Sequence, residues 1–434
     1  TVNAGKIVTV SPSDYLKVQN GLKNNGTVNI LSDDYSQTGS LVQINDTNTN
    51  IGDIKFERTS TVILNTDYTY WSSPVLDQTL LQVSPNTFLD KFYVYNASIE
   101  DWENVTDPVT YKMVAGKGYI FLGPKTYTAP SLFKATFIGK PNNGKIEIPI
   151  VFNLGAPEGT SNLIGNPYPS AIDADKFLDF NKTVIDGTIY FWTHNTKRQN
   201  RDNFNITDPV TGEIIGTTAG SGTLAYTSDD YASYNLLGGV GTSMAPSGST
   251  GGVNANIPNG KIAAGQAFFT TSKLVSGNAI FNNSMRIDNL GKIMDNSQFF
   301  KTRNPKTKTT TFEKHRIWLN LTNTQGAFKQ TLIGYITDAT NEYDSRFDGE
   351  SFDGNEFVDF YSINQEKNLV IQGRALPFDE NDQVPLGFRT TIEGAFTIKI
   401  DQADGVLTNQ AVFIEDKLTN SIFDLRSGPF TFNT

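Results

Sequence analysis

Cysteine is absent from the 434 residues. Disulfides, thiolate metal sites and cysteine nucleophiles are thereby excluded; secretion is not, because a large domain can be stable without covalent staples. Histidine occurs twice, at His194 and His315. Neither has a second histidine at ligand spacing, so a histidine-based metal site lacks its partners, and both read as surface or turn residues. The chain contains no G-x-S-x-G elbow, no phosphate-binding loop and no dinucleotide fingerprint. No stretch approaches the roughly 18–20 apolar residues of a membrane-spanning helix. Charge is scarce as well, at 18% of residues against the usual quarter. With 35 Lys+Arg and 45 Asp+Glu the net charge is -10. That balance argues against a general nucleic-acid binder and against an anionic membrane surface as partner. Thr1 opens on polar, strand-like sequence rather than a signal peptide, the expected look of a processed end or of a cut inside a longer protein.

What fills the chain instead is Asn, Thr, Ser and Gly, with 12% aromatics. Asn, Gly and Asp serve turns; Thr, Val, Ile, Tyr and Phe serve strands. The fold class expected is all-β. Residues 1–57 carry short β pieces such as "KIVTV", "GTVNIL" and "GSLVQI", spaced by Asn/Gly/Asp turns. Regular spacing of this kind predicts a short β-solenoid-like start or a small meander.

Residues 58–294 hold an internal duplication, with copies at about 58–150 and 151–294. The first copy reads "DYTYWSSPVLDQTL", "FLDKFYVYNASIEDW" and "MVAGKGYIFLGP". The second reads "SNLIGNPYPSAIDADKFL", "IDGTIYFWTHNTKRQN" and "IAAGQAFFTTS". Each copy offers a small-polar-Pro turn, an aromatic strand and an Ala-Gly strand entry, in that order. Two copies seldom carry one active site, so the repeat reads as fold grammar. Within the second, Ser170-x-x-Asp173 predicts a capping box, with Asp173 and Asp175 in the first helical turn.

The second copy carries an insertion at 197–258, rich in Gly, Ser, Thr and Asn, which predicts an extended surface excursion. Residues 295–312 are polar and basic and read as a linker. Residues 313–434 predict a β-sandwich from turn signals between short alternating strands. In "RIWLNLTN", Ile317, Leu319 and Leu321 share one face while Trp318 and Asn320 share the other.

Two constellations are candidates for binding. The acidic stretch "NEYDSRFDGESFDGNEFVDF" places Asp344, Asp348 and Asp353 near tight turns, where oxygens could gather on calcium. Its spacing is not that of an EF-hand, and solvated turns explain it equally. Aromatic rings, chiefly Trp192, Tyr231 and Tyr234, and with them Trp71 and Trp102, could stack on sugar faces; filling a β core is the competing role. A hydrolase would need two carboxylates about 5–10 Å apart in a cleft, and no pair stands out.

The combination "SLVQINDT", "YTYWSSPV", "GKGYIFLGP" and "NLIGNPYPSAID", with "YDSRFDG", "VPLGF" and "FTIKID" later, resembles the C-terminal region of large flavobacterial (Bacteroidetes) surface proteins. The resemblance covers nearly the whole chain but stops short of the sorting domain. It implies export by the type IX secretion system, an extracellular or cell-surface location and a role in display or adhesion. It supplies no catalytic residues. The expected function is a non-enzymatic stalk or adhesive segment of a larger protein, with a carbohydrate-binding module as the alternative and surface glycans or other cells as partners.

Overall fold

A computed structural model describes residues 1–34, 37–156, 158–193, 199–200, 206–207, 214–216, 224–225, 231–242, 257–297, 312–324, 327–351 and 358–434. The all-β expectation holds: 47% of residues lie in strands and 6% in helices. The chain forms two compact units. The first comprises Thr1–Trp192 and Asn259–Pro305; the second comprises Thr193–Pro258 and Lys306–Thr434.

In the first unit, Ile7–Val10, Thr27–Ile30 and Ile54–Ile63 pair in parallel. Tyr15–Val18 and Ser40–Gln43 do the same on a second ladder. Parallel stacking of successive short strands is solenoid geometry. In-register apolar residues fill its interior: Val10, Ile30 and Phe56 are all buried. The Asn-rich turns have a matching task. Asn50 and Gln43 exchange side-chain hydrogen bonds of 2.8 and 2.9 Å inside the coil. Gly52, at φ +79, is required, since a Cβ there would lie 1.9 Å from the Asn24 carbonyl oxygen. The coil does not stand alone. Ser131–Gly139 pairs antiparallel with Ile54–Ile63, so residues 1–57, expected as a separate segment, share a sheet with the first repeat.

The duplication is visible as repeated topology. In the first copy, Tyr119–Leu122 lies between Tyr68–Trp71 and Phe92–Asn96. In the second, Ala267–Ser272 lies between Ser161–Gly165 and Ile185–Trp192. A helix follows the first strand in each: Leu80–Val83 and Ala174–Asn181. The longer helix buries Ala174, Phe177, Leu178 and Asn181, the i, i+3, i+4, i+7 stripe of one face. Phe177 stacks on Phe281 at 4.8 Å and meets Phe268 edge-on at 5.5 Å. Trp71 plays the corresponding part in the first copy, fully buried and parallel to Phe121 at 6.0 Å.

The second unit is organised by one large sheet. Its order is Leu386–Thr390, Val358–Asn364, Lys367–Ala375, Phe328–Ile336, Lys314–Asn323, Ala395–Ala403 and Phe430–Asn433. Only Phe328–Ile336 and Lys367–Ala375 run parallel. Ile317, Leu319 and Leu321 enter the core, as their alternation predicts. The opposing layer is a hairpin, Phe413–Asp416 with Ser421–Asp424, whose Ile414 and Phe423 pack on that core. The other face is covered too. Trp318 and Asn320 are buried, and the Trp318 indole donates to the Gly239 carbonyl at 2.9 Å.

Candidate functional site

The turn "GNPYPS" is densely hydrogen-bonded within the first unit. Asn166 and Tyr168 each precede a proline, which favours extended backbone. Asn166 is fully buried. Its Oδ1 accepts from Tyr168 N at 3.0 Å, and its Nδ2 reaches the carbonyls of Ser170, Ile262 and Ala263 at 2.8, 3.0 and 3.0 Å. The corresponding residue in the first copy, Ser73, makes the same local bond: its Oγ accepts from Val75 N at 3.3 Å. One turn is thus built twice with different side chains.

The two turns clasp each other. Ser72 N donates to Gly265 O at 2.8 Å, and Gly165 N donates to Gly116 O at 2.9 Å. Ser72 and Gly165 are equivalent positions, as are Gly265 and Gly116, so the contact is reciprocal. Isolated bridges repeat the relation, Trp71 with Gln266 and Ile164 with Lys117. The copies therefore meet across a local pseudo-twofold axis. Close approach there demands small residues: a Cβ on Gly165 would sit 2.5 Å from Ser72 Cβ.

Arg286 locks the turn from behind. It is fully buried, its Nε donates to Ser170 Oγ at 2.9 Å, and its guanidinium lies 4.7 Å from the Tyr168 ring centre. Nη2 donates to the Leu41 carbonyl in the solenoid coil. Burial pulls the Arg286 guanidinium down to about 10, opposed by Tyr168 and Asp46. It remains cationic at neutral pH. The Tyr168 hydroxyl donates to Gly144 O at 2.6 Å, and burial pushes its pKa up. These contacts correct one expectation. Ser170 is not the helix cap, because Arg286 claims its hydroxyl. Asp173 is the cap, its Oδ1 accepting from Lys176 N at 3.1 Å while Oδ2 pairs with Lys261 at 2.9 Å.

The aromatic candidates separate by burial. Trp192 is a core residue: it stacks on Tyr70 at 5.5 Å and 9°, and its indole donates to Tyr68 O at 2.8 Å. Trp71 and Tyr234 are buried, and Tyr231 is half-buried. Buried rings leave no face for a sugar. A partly accessible aromatic cluster lies where the two copies meet: Tyr95 and Trp102 of the first copy and Phe269 of the second are half-buried, as Tyr231 is. Their rings meet edge-to-face, Tyr95 with Phe269 at 4.8 Å and with Trp102 at 5.2 Å. No short stretch of sequence contains both Phe269 and Tyr95, so their contact is not legible from the sequence.

Tyr231 and Tyr234 belong to the insertion, whose residues 231–242 are built into the second unit. Tyr231–Tyr234 pairs with Gly239–Val240 around a turn in which Asn235 Oδ1 accepts from Leu237 N at 2.9 Å. Leu236, Leu237 and Val240 are buried. Arg316 Nη1 donates to Leu237 O at 2.8 Å while its other nitrogens grip Asp404. Residues 231–242 are therefore a structural strap, where composition predicts a surface excursion.

In the described part of the acidic stretch, backbone N–H groups take up the carboxylates of Asp344 and Asp348. Asp348 is buried, and its two carboxylate oxygens accept from Asp344 N at 2.7 Å and Gly373 N at 2.8 Å. Burial raises its pKa to about 7, against the pull of those two N–H groups. Asp344 Oδ1 accepts from Arg346 N at 3.0 Å. Asp353 lies outside the described residues. Among the described residues no group of three or more potential metal ligands converges. His194 also lies outside them; His315 is buried rather than superficial, held between Glu313 at 3.1 Å and Val406 N at 3.3 Å.

A family model described as a domain of unknown function, DUF8693, matches residues 1–434. No curated protein and no solved structure matches the chain.

Proposed function

This chain belongs to the DUF8693 family over residues 1–434, and from that premise we propose that it is a non-enzymatic structural or adhesion segment of a larger extracellular protein. The observation that carries this reading is the fate of its most distinctive motif. Asn166, Tyr168, Ser170 and Arg286 spend their hydrogen-bonding groups on each other and on nearby backbone, in a buried joint between repeats. A catalytic motif would instead aim polar atoms at an open space. The solenoid coil and the clasped repeats form one compact unit of packed sheets, suited to spacing or presenting other modules. The resemblance to flavobacterial surface proteins supplies the route, type IX secretion, through a sorting domain on the same polypeptide. An antibody against this chain should label intact, unpermeabilised cells of the producing organism or their medium. A signal found only after permeabilisation would refute the surface reading. Turnover of a polysaccharide by the purified chain would refute the non-enzymatic one.

A second reading, a carbohydrate-binding module, is favoured by the half-buried cluster of Tyr95, Trp102 and Phe269. Aromatic rings of this kind offer C–H-binding faces to sugars.

A further inference from the structure

A cleft of about 350 Å³ opens between the solenoid coil and the segment 291–297. Its volume is that of a small-ligand site. One wall is the turn carrying Asp14, Tyr15 and Lys17; the other carries Lys292, Asp295 and Asn296. Ser13, at the head of the first wall, has φ +70, an uncommon conformation for a residue with a side chain. The turn is held in it by Asp14 N donating to Ser11 O at 3.1 Å and Ser40 N donating to Asp14 O at 3.0 Å. It projects Tyr15 into solvent at 61% exposure. An apolar ring so placed is not filling a core.

The opposite wall is rigid. Asn296 is buried; its Oδ1 accepts from Ala264 N at 2.9 Å and Arg58 Nη1 at 3.0 Å. Its Nδ2 donates to Gly39 O and Ser40 Oγ, both at 3.2 Å. Arg58, fully buried beneath, also grips the Asn296 carbonyl at 2.6 Å. Lys17 spans the space, its Nζ donating to Gly291 O at 3.1 Å. The cleft is therefore preformed rather than opened by a ligand.

Its chemistry selects a class. Two carboxylates, Asp14 and Asp295, balance two ammonium groups, Lys17 and Lys292. Among the groups that line the cleft an anionic ligand meets no surplus of cations and a cation no surplus of carboxylates; Arg58 is fully buried beneath them and its charge is coupled to Asp295. Hydroxyls of Ser13 and Ser297 add neutral donors and acceptors. We infer that this cleft binds a neutral saccharide unit, with Tyr15 against the apolar face of the ring and Asp14 and Asp295 accepting from its hydroxyls. Charge-assisted bonds to carboxylates suit such hydroxyls. The inference rests on the carbohydrate reading above and gives it a location other than the Trp102 cluster.

The test uses the full chain on an array of neutral hexose oligosaccharides beside sialylated, sulfated and uronic-acid glycans. The strongest hit is then titrated calorimetrically against the parent, Tyr15→Ala, Asp14→Asn and Trp102→Ala. Neutral glycans should bind, Tyr15→Ala should weaken them about tenfold or more, and Trp102→Ala should leave them unchanged. Tyr15 is mostly solvated, so its removal leaves folding intact, and an unchanged melting temperature checks this. Binding lost in Trp102→Ala and kept in Tyr15→Ala overturns the cleft while sparing the carbohydrate reading. Binding confined to acidic glycans overturns the neutral assignment. No bound glycan overturns both and leaves the structural role standing.

Discussion

Replacing Asn166 by alanine measures what the joint contributes. The side chain is fully buried, accepts one N–H and donates toward three carbonyls at 2.8–3.0 Å. Two amide hydrogens serve those three oxygens, so about three bonds are lost in all. An unsatisfied buried group costs about 1–3 kcal/mol, and carbonyls keep a second lone pair for other partners. The expected loss is ~3–5 kcal/mol. For a unit of this size, 1 kcal/mol moves the midpoint by about 2–4 °C, so the fall should be roughly 10 °C. The readout can be confined to the first unit. Of the four tryptophans, Trp71, Trp102 and Trp192 lie there and Trp318 does not. In a Trp318→Phe background, thermal unfolding followed by indole fluorescence reports that unit alone. Asn166→Ser should lose about 1 kcal/mol less than alanine, because serine keeps the turn bond that Ser73 makes in the first copy. An alanine variant melting within about 2 °C of its parent would refute this account of the joint.

The clasp should show the signature of a pair: Gly165→Ala destabilises by about 1–3 kcal/mol, and adding Ser72→Gly on the same chain recovers part of it. A double variant no more stable than Gly165→Ala alone would count against reciprocal packing. Asp348 sets a pH dependence. Its folded pKa, raised by burial to about 7, lies above its unfolded value near 4, so the folded state binds the extra proton. Its contribution to stability is present below about pH 4, falls as pH rises through 7, and is flat above. Asp348→Asn should be less stable throughout yet lack that slope in urea titrations across pH 4–8; an unchanged slope would assign it to other groups. Arg316→Ala should free the strap, raising amide exchange at Leu237 and Val240 at least tenfold in deuterium-exchange mass spectrometry. Unchanged protection would show that apolar burial alone holds it.

The sequence made the repeats legible because their turns, strands and strand entries recur in order, and topology follows such local grammar closely. Alternation likewise announced Ile317, Leu319 and Leu321 as core. Local pattern failed wherever a distant residue decided the outcome. Ser170 and Asp173 both looked like parts of a cap, and only Arg286, 116 positions from Ser170, separates their roles. Trp192 reads as a strand-end aromatic, and its burial depends on Tyr70 and on Tyr68 O, 124 positions away. The strap 231–242 has loop-like composition, yet buries leucines against strands met some 80 residues later. The cleft joins residues 13–17 to 291–297, so no window along the chain contains it.

The interleaving of the two units has a consequence for the order in which the chain is made. The first unit has all its segments by Pro305, whereas Thr193–Pro258 must wait for Lys306–Thr434. Emerging from a ribosome or threading a membrane pore N-terminus first, the polypeptide carries Leu236, Leu237 and Val240 without the strand Lys314–Asn323 that supplies their hydrogen-bonding partners. For that interval the strap is an apolar, strand-forming segment with nowhere to dock, and a natural client for a holding chaperone. Synthesis of Lys306–Thr434 ends the exposure.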